Sequence, residues 1–231
     1  MTRTAPEPSE TWIVVPAYRE GPRLASVLER LLARYPNVVV IDDGSEDDTF
    51  AVACRAGARV LRHVVNRGQG AALQTGLDYA RRRGAARVVT FDADGQHRVE
   101  DVERLVEPVR RGECDVTLGS RFLGAAPGIP PGRRAVLKLG VLFTRVFSRV
   151  RVTDTHNGLR CLSARALSCI RLEMDRMAHA SELLDQLRLH DLRYREVAVH
   201  VDYTRESLDK GQSSWNSVRI AFQYLLGRIA R

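Results

Sequence analysis

A chain of 231 residues with 44% hydrophobic and 28% charged residues has a globular composition, long enough for one α/β domain with a sizeable core. The net charge of +8 points to an anionic partner, for which nucleic acid, phosphate-bearing substrates and acidic lipids compete. Cys54, Cys114, Cys161 and Cys169 show no Cys-x-x-Cys spacing, which argues against a zinc site and a disulfide framework and fits a reducing cytoplasm.

Residues 1–10, rich in Thr, Pro, Glu and Ser with no apolar run after Arg3, are expected to form a disordered lead-in rather than a signal peptide. No stretch of about 18 apolar residues occurs, which argues against a spanning helix. Residues 11–15 predict a short strand stopped by Pro16, followed by a loop that carries Tyr18 and Glu20. Leu24, Val27, Leu28, Leu31 and Leu32 then recur at helical spacing over 22–34. A second strand at 38–41 ends in Asp42-Asp43-Gly44-Ser45, and a second helix is expected at 49–56. Polar residues thus collect at the C-terminal ends of strands, the edge where open parallel sheets bind ligands.

Residues 59–64 predict a third strand, and Asn66-Arg67-Gly68-Gln69-Gly70-Ala71-Ala72 opens a helix to about residue 83. Gly68 and Gly70 suggest a dinucleotide fingerprint, but Leu73 stands where its third glycine belongs, and a nicotinamide site is rejected. The alternative is a helix N-terminus whose small residues approach either the sheet or a phosphate. The strand at 87–91 runs into Asp92-Ala93-Asp94-Gly95-Gln96-His97. On an extended chain residues i and i+2 project to one side, so Asp92 and Asp94 can face one divalent cation. Alone the pair is also compatible with a polar turn. Its weight comes from repetition, since strand ends near Glu20, Asp43 and Asp92 all present acidic loops.

An amphipathic helix is expected at 99–111 and a strand at 116–118, ending at Gly119-Ser120-Arg121-Phe122. From 116 through 153 there is no Asp or Glu, while Arg121, Arg133, Arg134, Lys138, Arg145, Arg149 and Arg151 are all cationic. The segment 131–153 therefore reads as one or two basic amphipathic helices, which either lie on an anionic membrane or pack with a solvated basic rim. Nucleic acid is set aside, because aromatics for base stacking are sparse. Residues 154–162 are polar, with Asp154, His156 and Arg160 as cleft candidates, and lead to a helix near Ser163. Residues 180–187 are helical, with Glu182 and Asp185 either on a solvated face or acting as acceptor-site acids. A strand at 195–201 and a polar loop at 202–214 with Arg205 and Lys210 precede a cationic amphipathic helix at 215–231, whose Trp215, Phe222 and Tyr224 suit an interface.

Taken together, Val15-Pro16-Ala17-Tyr18-Arg19-Glu20, Ile41-Asp42-Asp43-Gly44-Ser45, Asn66-Arg67-Gly68, the Asp92 stretch, Gly119-Ser120-Arg121-Phe122 and the 154–160 segment resemble the inverting family 2 glycosyltransferases. More narrowly they are similar to the polyprenyl-phosphate, dolichol-phosphate mannose synthase-like branch. The resemblance covers 11–215 and implies a GT-A fold, a mostly parallel sheet flanked by helices, with a glycosyltransferase domain at 11–214. It also implies a nucleotide-diphosphate sugar donor and Mg²⁺ or Mn²⁺. Carried over by position, Pro16, Tyr18, Glu20, Ile41 and Asp43 would frame the nucleoside. Asp92 and Asp94 would hold the metal and diphosphate with Ala93 and Gln96. Arg205 and Lys210 would close over the donor, although Ser214 replaces the lysine often found at the end of this loop.

Arg121 would meet the acceptor phosphate with Arg133 or Arg134, and Asp94, Arg121 and Asp154 form the expected catalytic set. A hydroxyl acceptor would instead need a carboxylate base, with Asp154, Glu182 and Asp185 as candidates. A non-catalytic nucleotide-sugar-binding subunit stays open as a further alternative. A nucleotidyltransferase fits less well, because a glycine-rich basic first loop is absent. The expected location is cytoplasmic, peripheral at the inner face of the membrane, with a separate small membrane protein as a further candidate partner.

Overall fold

The computed structural model describes residues 10–147, 150–174 and 179–203; most of the expected lead-in, Arg205, Lys210 and the helix expected at 215–231 lie outside them. Chain order is β1 (Thr11–Ala17), α1 (Gly21–Leu32), β2 (Val38–Asp42), α2 (Thr49–Arg55), β3 (Arg59–Arg62), α3 (Gln69–Arg82), β4 (Arg87–Thr90) and α4 (Glu100–Arg110). It continues with β5 (Val116–Ala125), α5 (Pro131–Phe147), β6 (Arg160–Ser163), α6 (Ala164–Cys169), α7 (His179–Leu189) and β7 (Tyr194–His200). The seven strands form one sheet in the order β3-β2-β1-β4-β6-β5-β7, parallel throughout except that β6 runs against both β4 and β5.

The central strands β1, β2 and β4 are buried on both faces because their pleat serves two cores. On one side Ile13, Val15, Val38, Val40 and Val89 meet Leu24, Val27, Leu28 and Leu31 of α1, together with Val102 and Leu105 of α4. On the other, Trp12, Val14, Val39, Ile41 and Val88 meet Ala72, Leu73 and Leu77 of α3, Leu167 of α6 and Leu183 of α7. Each large aliphatic side chain so buried contributes about 1.5–3 kcal/mol, which holds the helices to the sheet irrespective of their polar outer faces.

Pro16 does not stop β1 as the sequence suggested, because the strand continues to Ala17. Ala17 O accepts from Asp43 N and Val14 O from Phe91 N, both at 2.9 Å, so successive residues turn alternately toward β2 and β4. Pro16 shares the side of Val14, where the pairing with β4 ends at Val14 and Thr90. The N–H that proline lacks therefore has no ladder partner to lose.

β5, expected at 116–118, extends over Val116–Ala125. Parallel pairing with β7 carries it through Ser120 opposite Ala198, and after a bulge it rejoins at Ala125 opposite His200. Arg121 thus projects from a strand rather than a loop. The four-residue β6 was not expected at all, being too short to show alternation. Its first residue, Arg160, pairs with Thr90 and with Leu118. The 154–159 loop consequently arrives at the edge where β4 ends.

Gly70 resolves the alternative left open for the start of α3: a Cβ there would collide with Met174 O and come within 3.0 Å of the His179 Cβ. Its small size admits the segment before α7 rather than the sheet. Deeper in α3, a Cβ on Gly76 would collide with Val14 Cγ1 and lie 3.2 Å from Ile41 Cδ1. Helix propensity favours alanine by about 1 kcal/mol, whereas overpacking costs about 1–3 kcal/mol. Gly76→Ala should therefore destabilise the protein by about 1 kcal/mol in urea unfolding; a stabilised variant would show that α3 can shift freely.

Candidate active site

Phe91 is fully buried and anchors the chain in the core just before it leaves β4, and Ala93 is buried between two half-buried aspartates. Both oxygens of Asp92 are held: Oδ1 accepts from Gln69 Nε2 and Oδ2 from His97 Nε2, each at 3.1 Å. A Cβ on Gly158 would overlap this carboxylate, so the glycine is what lets the 154–159 loop close over it. Asp94 Oδ1 accepts from Gln96 N at 3.0 Å in a turn made by Gly95 at φ 77°.

The two carboxyls are driven apart in acidity. Burial raises Asp92, but the hydrogen bond from His97 and the charges of His97, Arg160 and His179 outweigh it and hold the group below the ordinary carboxylate range. Asp94 is raised, by burial first and then by the charges of Asp92 and Glu20, against the Gln96 hydrogen bond and His97. Among the described residues no three His, Cys, Asp or Glu side chains form a closed metal cluster. Two hard-oxygen donors, one fixed in place and one under repulsion, fit Mg²⁺ or Mn²⁺ completed by oxygens from outside the protein.

On the β1 and β2 side, Asp43 is buried and committed to the protein. Its Oδ1 accepts from His63 Nδ1 at 2.7 Å and Arg67 N at 3.0 Å, and its Oδ2 accepts from Gly68 N at 2.6 Å. His63 Nε2 lies 2.9 Å from Thr75 Oγ1, which ties the loop to α3. Ile41, expected against a nucleoside, is fully buried; the pleat turns it toward Gly76 and the core. Pro16 and Ala93 are buried as well. What faces outward is Tyr18, 39% exposed with the Arg19 guanidinium 5.2 Å over its ring, and the half-buried Glu20 and Gln96.

On the β5 side, Arg121 is buried. Asp154 Oδ2 accepts from Arg121 Nε at 2.6 Å and from its backbone N at 3.1 Å, and Arg121 Nη1 donates to the Tyr203 hydroxyl at 2.5 Å. Burial lowers the Arg121 pKa, but Asp154 and Tyr203 outweigh it and the group stays charged. Glu196 of β7 fixes the same loop from behind, its Oε1 accepting from Thr153 N and Oγ1, both at 2.8 Å, and from Asp154 N at 3.2 Å. The Asp154 side chain is only 1% exposed, so it is the counter-ion of Arg121 rather than an available base.

Arg160 lies between the two halves, donating to Asn157 O at 3.1 Å, its pKa pushed down to about 10 by burial against the attraction of Asp92 and Asp154. His156 packs on Gly140 of α5; burial lowers its pKa, and Arg160 and Arg121 add to this against Asp154, so the ring stays neutral. A cleft of about 390 Å³ is lined by Phe122 of β5, Thr153 and, from α5, Arg134, Lys138, Val141 and Leu142. Arg133 turns to Tyr203 instead, 5.2 Å from its ring centre.

Glu182 is neither on a solvated face nor in an acceptor site: it is buried and accepts from Glu173 N at 3.1 Å and Met174 N at 2.9 Å. Sequence reasoning passed over Gln69, His97, Gly158, Glu196 and Tyr203 as site residues. His97 was within reach, since it closes the acidic stretch itself. The others act from distant elements and leave no spacing to read.

A profile of glycosyl transferase family 2 matches residues 12–158. An uncharacterized protein of Methanocaldococcus jannaschii is 35% identical, with 95% of this chain and 93% of the relative covered. A UDP-N-acetylglucosamine–dolichyl-phosphate N-acetylglucosaminyltransferase of Methanococcus voltae is 28% identical over 95% of this chain and 96% of its own. A polyprenol monophosphomannose synthase of Mycolicibacterium smegmatis is 30% identical over 91% and 83%. Among solved structures, glucosyl-3-phosphoglycerate synthase of Mycobacterium tuberculosis, crystallised with Mn²⁺, UDP and glucosyl-3-phosphoglycerate, superposes with a TM-score of 0.69 at 20% identity over 97% of this chain and 86% of that one. That likeness identifies the fold as GT-A-like.

Two outcomes follow from the charges. Asp154→Asn would strand a buried guanidinium and should cost about 3–5 kcal/mol in urea unfolding. A carboxyl whose folded pKa lies above its unfolded one costs stability when ionised, and that cost vanishes as pH falls through the folded value. Asp94→Asn should therefore melt above wild type near pH 7, with the gap closing at acid pH, and should lose any Mn²⁺-induced rise in Tm. A variant that melts lower at pH 7 would contradict the repulsion.

Proposed function

Since the chain belongs to glycosyl transferase family 2, we propose that it moves a sugar, with inversion, from a nucleotide-diphosphate sugar to a polyprenyl phosphate at a membrane surface. The observation that carries this reading is a cleft that combines Arg134 and Lys138 with Phe122, Val141 and Leu142, its lining residues Phe122 and Thr153 being the chain neighbours of the buried Arg121–Asp154 pair. A phosphate on an aliphatic chain is the acceptor chemistry such a cleft suits.

Asp92 and Asp94 would hold Mg²⁺ or Mn²⁺, which when bound would neutralise charge on the departing nucleoside diphosphate. Gln69 and His97 would keep the Asp92 carboxylate in a fixed orientation for this. Tyr18 and Glu20 are proposed to face the nucleoside, with Asp43 shaping that wall through the 63–68 loop. Arg205 and Lys210 are proposed to close over the diphosphate. Arg121, kept charged by Asp154, would orient the acceptor phosphate. Such an acceptor is anionic near neutral pH and needs positioning more than a base. This supports the phosphate over the hydroxyl acceptor, because two of the three candidate bases, Asp154 and Glu182, are buried and engaged, while Asp185 is half-buried.

Among the described residues no helix is long and apolar enough to cross a membrane. Leu139 and Leu142 of α5 are 66% and 57% exposed beside Arg134 and Lys138, which supports peripheral docking on an anionic surface; the cytoplasmic face is the proposed location. Nothing in the comparisons supports a separate small membrane protein as partner.

Screening UDP- and GDP-sugars with Mn²⁺ against undecaprenyl phosphate and against simple hydroxyl acceptors tests the reading. Lipid-linked sugar should form only with the phosphate acceptor, and Asp94→Ala should lower the rate at least about a hundredfold. Transfer to hydroxyl acceptors alone would overturn the acceptor assignment, and full activity in Asp94→Ala would overturn the role of the acidic pair. The protein should also float with anionic vesicles at low salt and release at high salt; no flotation at low salt would remove the membrane surface.

A further inference from the structure

Tyr203 is drawn into the β5 side of the site by contacts that no part of the family resemblance assigns. Asp202 fixes the chain just before it: the Asp202 N donates to Gln96 O at 2.9 Å, and its carboxylate accepts from Arg98 Nε and Nη2, each at 3.0 Å. From that anchor Tyr203 reaches two arginines on different elements. Its hydroxyl oxygen accepts from Arg121 Nη1 of β5 at 2.5 Å, and the Arg133 guanidinium of α5 stands 5.2 Å from its ring centre.

We propose that Tyr203 is a positioning residue of the acceptor site, which joins Arg121 and Arg133 into one binding site for the phosphate monoester of the lipid. The inference rests on the polyprenyl-phosphate reading. Two guanidiniums brought together repel each other, and a carboxylate between them would cancel the charge an acceptor needs. A phenol avoids both problems, because it offers a lone pair to one cation and a π face to the other while neutralising neither. Asp154 already balances Arg121, whereas among the described residues Arg133 has no ion-pair partner. Arg133 is thus the cation of the pair that Asp154 does not balance, and Tyr203 is what keeps it beside Arg121. The Tyr203 oxygen accepts from Arg121, so its own proton remains to be donated to an anionic oxygen.

Tyr203→Phe keeps the ring under Arg133 and removes only the hydroxyl; Tyr203→Leu removes both contacts. Steady-state kinetics of the full chain, with undecaprenyl phosphate and the nucleotide sugar that the screen above selects, should show the acceptor KM raised about tenfold in Tyr203→Phe and further in Tyr203→Leu. Donor KM and kcat should stay within about twofold, as should calorimetric binding of UDP with Mn²⁺. Tyr203→Leu and Arg133→Met should combine to less than the product of their separate effects by about threefold or more. An acceptor KM in Tyr203→Phe equal to wild type would overturn the inference while leaving the proposed reaction intact. Loss of UDP binding in step with acceptor binding would reduce Tyr203 to a structural role and overturn it too. A wild-type protein that transfers to no polyprenyl phosphate would remove the proposed acceptor, and this inference with it.

Discussion

β6 enters the sheet against the direction of both its neighbours, and the candidate site depends on that reversal. Every other neighbouring pair is parallel, so the loops after β1, β2 and β4 already share one edge. An antiparallel strand inserted beside β4 presents its beginning at that same edge, and Arg160 opposite Thr90 marks the place. The 154–159 loop therefore faces the acidic loop of β4 directly. Gly158 against the Asp92 carboxylate and Thr90 Oγ1 donating to Gly158 O at 2.5 Å close the seam between them.

The charges gathered there are balanced unequally on the two sides. Asp92 is overcompensated by His97, Arg160 and His179, while Asp94 is left facing Asp92 and Glu20. On the opposite side Arg121 has its counter-ion in Asp154, and Arg134 and Lys138 beyond it line a cleft without a carboxylate. Breaking a buried pair costs about 3–5 kcal/mol, so the Arg121–Asp154 link is the stiff part of the site. The under-neutralised carboxylate and the exposed cations are the parts open to ligands. The proposed transfer, which would bring a diphosphate leaving group and an anionic acceptor together, would draw on this division, with positive charge along the path and a fixed framework beneath it.

The sequence disclosed a good deal of this. The acidic ends of β1, β2 and β4 were legible because apolar strands stop abruptly at carboxylates, and the amphipathic α1 and α4 because their apolar residues recur at helical spacing. Arg121 was legible as a cation, but its strand was not, since β5 is prolonged only by pairing with β7. Asp154 and Glu182 looked like available acids, and both prove to be committed inside the fold, one to a guanidinium and one to backbone N–H groups. Isolated acidic residues look alike in a sequence; their partners lie at distances along the chain that no local pattern encodes.

By itself the sequence determined the kind of sheet, the edge at which its acidic loops gather and the acidic pair among them, because these follow from local hydrophobic period and from residues adjacent in the chain. Only the tertiary structure decided which charges are free. Gln69 and His97 hold Asp92, the 63–68 loop takes up Asp43, and Asp154 pairs with Arg121, which in turn reaches Tyr203. The physical reason is that a charged side chain's role is set by what satisfies it in three dimensions. That partner is chosen by the order of the strands, and above all by the one strand that runs the other way.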